Sequence, residues 1–191
     1  MIPSVFWLVP AGSALALVFA YFFFRQMIKA DEGTDTMKKI ALHVRKGAMA
    51  YLKQQYKVVT IVFIILTAVF ALLAYVLKIQ NPWVPFAFIT GGFFSGLSGF
   101  CGMKTATYAS ARAANAAQKS LNDGLRVAFR SGAVMGLVVV GLGLLDISIW
   151  VTALNYIIGA LDNTTDQLIA SDPAMKLIII TTTPLTFGMG A

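Results

Sequence analysis

The sequence predicts an all-α protein, a polytopic bundle of transmembrane helices with about five spans. Three observations predict it. Of 191 residues, 58% are hydrophobic and only 12% charged, with a mean hydropathy of +0.77, whereas about a quarter of a soluble domain is charged. The apolar residues gather into runs near the 20 or so needed to cross a bilayer. The charge between the runs alternates, so the excess of 15 Lys plus Arg over 8 Asp plus Glu reads as topology and not as one basic face for nucleic acid. Cys101 is the sole cysteine and His43 the sole histidine, which excludes a disulfide framework and zinc chemistry. A chain this length, filled with spans, has no room for a separate soluble catalytic domain.

The first span is read over residues 4–24. It contains Pro10 and Gly12 and is followed by Arg25 and Lys29. A signal peptide carries positive charge ahead of its apolar region, and Met1 to Pro10 has none, so a retained helix is expected. The second span, residues 58–77, runs without a charge. Thr36 to Tyr56 before it sets Met37, Ile40, Ala41, Val44, Ala48, Tyr51, Leu52 and Gln55 at helical spacing, with Lys and Arg elsewhere. This amphipathic stretch is expected to continue as helix straight into the span.

The third span, residues 83–103, replaces bulk with Gly91, Gly92, Ser95, Gly96, Ser98, Gly99 and Gly102. Small residues four apart allow close backbone approach in lipid, so this helix is expected inside a bundle; packing is preferred over the lining of an ion pathway. Ala106 to Ala117 has high helix propensity, and the helix is expected to run well past the bilayer, to a turn around Asn122-Asp123-Gly124. The fourth span, residues 131–159, opens with Gly132 and Gly136 and is longer than a perpendicular crossing requires, which implies tilt or a projecting end. The fifth, residues 175–191, reaches the last residue with no flanking charge, and the chain is expected to be truncated there. Its Thr181, Thr182, Thr183, Pro184 and Thr186 suggest a kink and carry no assigned chemistry.

Charge sets the orientation. Residues 25–57 hold Arg25, Lys29, Lys38, Lys39, Arg45, Lys46, Lys53 and Lys57 against Asp31, Glu32 and Asp35; residues 104–130 hold Lys104, Arg112, Lys119, Arg126 and Arg130 against Asp123 alone. The other connections have Lys78, and then Asp162, Asp166 and Asp172. By the positive-inside rule both basic segments are cytoplasmic and the N-terminus lies outside.

Asp146 is the one acid within an apolar run. A carboxylate at membrane depth costs about 2.5 to 3.5 kcal/mol on insertion scales. Counted from Ser131 it lies beyond the midplane, so two readings stand: an interfacial acid snorkelling outward, or a buried ion ligand. The basic residues of 104–130 could guide an anionic substrate, but fixing topology and contacting lipid headgroups is the preferred reading. No phosphate-binding loop, HExxH, CxxC or carboxylate pair suited to Mg-phosphate is present.

The stretch Ser95 to Gly136, SGLSGFCGMKTATYASARAANAAQKSLNDGLRVAFRSGAVMG, closely resembles the third and fourth helices of the membrane-integral pyrophosphatases, ion pumps powered by pyrophosphate hydrolysis. The matching elements are Gly99, Gly102-Met103, Ala106-Thr107, Ala109, Arg112, Ala116-Ala117 and the run Ala128 to Gly136. Gly33-Thr34 and Lys46 to Leu52 are similar to that family's first inner loop. The likeness covers about residues 30 to 191, with Ser110 and Ala113 departing from the Asn and Thr many members carry. In flavour the text sits nearest the bacterial K+-stimulated, sodium-pumping kind.

The resemblance implies a bacterial plasma-membrane protein, a homodimer of sixteen-helix subunits that couples hydrolysis of Mg-bound pyrophosphate to Na+ or H+ transport, with K+ as an activator. It places the catalytic, metal and gate residues on the fifth and later helices, so no catalytic, cofactor-binding or metal residue is assigned within this chain, and the chain alone is expected to be inactive. The alternative reading is a small non-enzymatic five-span scaffold or channel subunit; membrane lipid is an expected partner and nucleic acid is not.

Overall fold

A computed structural model describes residues 4–77 and 82–161. All the regular structure in them is helical. A 3-10 turn, Ser4–Trp7, leads into α1, Leu8–Ile28; α2 is Asp35–Ala71, prolonged by a π-helical turn, Leu72–Val76; α3 is Val84–Lys119 and α4 is Leu121–Leu161. Four helical stretches are long and apolar enough to cross a membrane: Ser4–Ile28, Asp35–Val76, Val84–Lys119 and Leu121–Tyr156. The expected fifth span, residues 175–191, lies outside the described residues.

Local sequence explains the helix ends. Pro10 falls in the first turn of α1 and Pro85 in that of α3, where the missing N–H has no intrahelical partner to lose. Thr34 caps α2: its side-chain oxygen accepts from the Met37 N–H at 3.4 Å and its carbonyl from the Lys38 N–H at 3.0 Å, with Asp35 in the positive first turn. Gly33 before it has φ +90°, a left-handed conformation that side chains resist. With no proline between Thr36 and Leu77 and Gly47 alone as a weak former, the amphipathic stretch and the second apolar run form one helix.

Two differences from the sequence reading concern α4. The turn expected at Asn122-Asp123-Gly124 is not there; the chain breaks at Ser120 alone, and those three residues form the first turn of α4. Gly124 serves close approach and not turn geometry. A Cβ on it would stand 2.7 Å from the Cβ of Ala117 and 3.0 Å from its Cα. Accordingly α4 begins ten residues before the apolar run does.

The chain divides into two compact units. One comprises Met1–Ala11, Thr60–Ser95 and Gly143–Ala191. Its core has Phe88, 2% exposed, stacked on Phe63 at 4.7 Å between centroids and meeting Phe70 edge-on at 5.0 Å. Gly92 makes room for that stack, since a Cβ there would come within 2.0 Å of the Phe63 ring. Ala87, Trp150 and Leu154, with Trp83 against them, form a second cluster.

The other unit comprises Gly12–Val59 and Gly96–Leu142. Met27, Ala109 and Val127 are its buried centre, flanked by Phe24, Ala30, Tyr108, Ala113 and Ala116. Small residues again permit contact. Gly102 faces Met135 and Gly141 faces Leu17, while the Ser13 hydroxyl donates to the Gly141 carbonyl at 2.6 Å and Tyr56 donates to the carbonyl of Gly96. The small-residue ladder of α3 thus packs as expected at Gly92, Gly99 and Gly102, whereas at Gly96 no atom would lie within 4 Å of an added Cβ.

Candidate functional site

Two polar clusters stand out in otherwise apolar surroundings, one in each unit. The first is built around the segment between α1 and α2. Glu32 accepts hydrogen bonds on Oε1 from two guanidiniums, Arg45 of α2 and Arg112 of α3, the latter at 2.8 Å. Arg112 does three jobs. Its Nε donates to the carbonyl of Ala30 at 3.0 Å and, at 3.4 Å, to that of Ile28, satisfying carbonyls at the C-terminal end of α1. Its Nη1 also donates to the Tyr108 carbonyl at 2.7 Å. The Tyr108 ring lies beneath both cations, 4.0 Å from the Arg45 guanidinium carbon and 5.7 Å from that of Arg112.

Asn115 completes this clamp by donating to the Asp31 carbonyl at 3.2 Å. The hydrogen bond from Arg45 foremost, with the nearby charge of Arg112, holds the Glu32 carboxyl below its ordinary pKa against the opposing effect of burial. All three charged side chains are largely covered, at 10% exposure for Arg112, 17% for Glu32 and 19% for Arg45.

This overturns the sequence reading of Arg112. Its guanidinium is largely covered and committed to Glu32 and to the end of α1. Arg45 was also expected on the uncovered side of its helix. Instead the covered face of α2 includes Ala41, Arg45, Ala48, Leu52 and Tyr56, while Ile40, Val44 and Tyr51 are 59%, 46% and 61% exposed. Of the other basic residues in that segment, Arg126 makes a long, exposed ion pair with Asp123 at 4.0 Å, and Lys104 sits over Phe100.

The second cluster surrounds Asp146. The outward-snorkelling reading fails, because Asp146 is 1% exposed. Its carboxyl lies beside the Thr90 side chain, and its Oδ2 is buried without a partner among the described residues. Thr90 in turn accepts the indole N–H of Trp150 at 2.8 Å and donates to the carbonyl of Ala87 at 3.1 Å. Asp146 and Trp150 are one turn apart on α4, so one face of that helix presents both to Thr90.

A magnesium site needs several oxygen ligands. Among the described residues no three His, Cys, Asp or Glu side chains come together, Glu32 is taken up by two arginines, and Asp146 has no second acid beside it. Mg2+ therefore does not fit either cluster. The threonines and Pro184 of the fifth run lie outside the described residues.

The sequence profile of a family described as inorganic H+ pyrophosphatase matches residues 14–191. The chain belongs to this family. Among pyrophosphatase relatives, a protein of Bacteroides thetaiotaomicron named K(+)-stimulated pyrophosphate-energized sodium pump is 66% identical over 98% of this chain and 24% of its own length. A K(+)-insensitive pyrophosphate-energized proton pump of Moorella thermoacetica is 42% identical over 85% of the chain and 22% of its own. The corresponding proton pump of Methanosarcina mazei is 36% identical over 73% and 20%. The chain thus spans about a quarter of the length of these relatives, and with four helices among the described residues long and apolar enough to cross a membrane it is an integral membrane protein.

Proposed function

We propose that this chain forms the first membrane helices of a pyrophosphate-energised cation pump, which couples hydrolysis of Mg-bound pyrophosphate to export of Na+ with K+ as activator. The observation that carries this reading is the 66% identity, over 98% of the chain, to a relative named as a K(+)-stimulated sodium pump, against 42% for a relative named as a K(+)-insensitive proton pump. The hydrolytic and gating residues belong to the part of such a protein that lies beyond this chain. What these helices supply is a scaffold: small-residue packing along α3, and the clamp of Glu32, Arg45 and Arg112 that ties α1 and α2 to α3.

In this reading the protein sits in the bacterial plasma membrane as a homodimer. The basic segments 25–57 and 104–130 face the cytoplasm, so the clamp is on the cytoplasmic side, and the exposed apolar side chains of α1 and the outer half of α2 meet lipid or further helices.

Inverted membrane vesicles from cells expressing the full-length protein test the proposal. Pyrophosphate with Mg2+ should drive uptake of radioactive Na+, several-fold faster with K+ present, and a protonophore should not abolish it. Uptake of H+ alone, indifferent to K+, would replace the sodium reading with the proton one. Hydrolysis of pyrophosphate by residues 1–191 alone would overturn the assignment of the chemistry to later helices.

A further inference from the structure

Ahead of its membrane-spanning half, α2 carries an apolar seam that nothing among the described residues covers. Ile40, Val44, Gly47, Tyr51, Gln54 and Val58 follow one another at alternating steps of four and three, the spacing at which one helix presents a continuous line to another. Ile40, Val44, Tyr51 and Val58 are 59%, 46%, 61% and 53% exposed, and a Cβ on Gly47 would meet nothing within 4 Å. Lipid cannot cover the first part of this line. At about 1.5 Å per residue the 37 residues of α2 measure about 55 Å, against about 30 Å of hydrocarbon, and the uncharged half from Val58 onward fills that depth. Lys38, Lys39, Lys46, Lys53 and Lys57 keep the other half in water. Because α2 is unbroken between the halves, Thr36 to Tyr56 stands off the bilayer as a continuation of the span. An apolar line left in water marks a protein contact.

One edge of the seam is basic. Lys39, Lys46 and Lys53 recur every seven residues, with Lys57 on the same edge, and all four are exposed. No carboxylate among the described residues pairs with any of them; the pairs formed are Lys38 with Asp35, Arg126 with Asp123, and two arginines with Glu32. We infer that the seam is the docking face for an amphipathic helix edged with Asp or Glu, belonging to the same polypeptide beyond residue 191. A second copy of these 191 residues is poorly suited to supply that edge: it has 8 acids to 15 bases, with Glu32 held by two arginines and Asp146 buried, and like charges brought together at a contact disfavour it. The relatives have the length to supply it, since this chain covers 24% and 22% of two of them. The seam stands on α2 alone, whereas its occupant rests on the reading of this chain as part of a longer pump.

Cysteine labelling of the full-length protein tests the seam, in a cysteine-free background and in inverted membrane vesicles, with a membrane-impermeant maleimide. Val44→Cys and Tyr51→Cys should react several-fold more slowly than Leu42→Cys and Met49→Cys, which are exposed on the opposite side of the same helix; equal rates at all four would overturn the proposal. Lys46→Glu with Lys53→Glu should raise the rate at position 44 several-fold, and an unchanged rate would refute the acidic edge. A photoreactive phenylalanine analogue in place of Tyr51 identifies the occupant without depending on those rates. A cross-link within one polypeptide to a peptide beyond residue 191 is expected, and a cross-link to a second copy or to another protein would overturn the assignment. Pyrophosphate-driven Na+ uptake separates the two readings: its absence in a protein that shows protection and the internal cross-link refutes the pump alone, and its presence with positions 44 and 51 fully reactive refutes the seam alone.

Discussion

Arg112 Nη1 lies 2.8 Å from Glu32 Oε1, joining the C-terminal part of α3 to a connecting segment eighty residues earlier in the chain. Through the same side chain the carbonyls of Ile28 and Ala30 gain their donor. Truncating it therefore leaves covered acceptors and half-pairs a covered carboxylate. Arg112→Ala should cost about 2 to 3 kcal/mol, the lower side of the range for breaking covered ion pairs because Arg45 still holds Glu32. Arg112→Lys, which restores charge but not the forked geometry, should recover less than half. Thermal unfolding in detergent measures both, and limited proteolysis should cut between α1 and α2 faster in the alanine variant.

The same carboxylate makes stability depend on pH. Glu32 is held below its ordinary 4.5 by Arg45 first and then Arg112. A depressed folded-state pKa contributes stability that is complete above the unfolded value and lost as pH falls through the folded one. The wild type should exceed Glu32→Gln by a constant margin from neutral pH down to about 5, and that margin should narrow below it. A margin that widens on acidification would mean Glu32 is not paired as described.

Glycines of α3 that look alike in sequence should behave differently. Gly92→Ala drives a methyl to 2.0 Å from the Phe63 ring, which is pinned by its stack on Phe88, and overpacking of this kind costs about 1 to 3 kcal/mol. Gly96→Ala meets nothing within 4 Å, and in the 191-residue chain its effect should stay within about 0.5 kcal/mol. Equal effects on the thermal midpoint would contradict the packing at Phe63.

Gly33→Ala combines two penalties: a φ of +90° and a Cβ 2.7 Å from the Met37 sulfur and 2.8 Å from Asn115 Oδ1. A loss of about 1 to 3 kcal/mol is expected. Because the strain sits beside the Thr34 cap, hydrogen exchange at Met37 and Lys38 should speed up more than elsewhere in α2.

Much of the fold could be read from the residues because the bilayer imposes lengths. Uninterrupted apolar runs marked the helices, and the unbroken propensity from Thr36 onward marked the continuity of α2. Turn chemistry misled at Asn122-Asp123-Gly124, where the glycine answers to the proximity of Ala117, a tertiary fact with no local signature. The clamp was hidden for a different reason. Glu32, Arg45 and Arg112 are ordinary members of charged segments when counted for topology, and their meeting depends on a contact across eighty residues. Asp146 drew notice by being an acid among apolar residues, but its burial could not be counted from Ser131, since α4 starts earlier and the helical face it shares with Trp150 is set by Thr90 on another helix.

Ser120 is the whole of the connection between helices of 36 and 41 residues. A one-residue joint has no slack, and the contacts that follow it, Ala117 with Gly124, Ala109 with Val127 and Gly102 with Met135, descend the pair like teeth of a zip. One residue added to either side would slide that helix by about 1.5 Å and turn it by about 100°, taking every later tooth out of mesh together. A substitution in this hairpin disturbs one contact, whereas a change in its length disturbs all that follow, so the number of residues between these contacts is fixed by the packing itself.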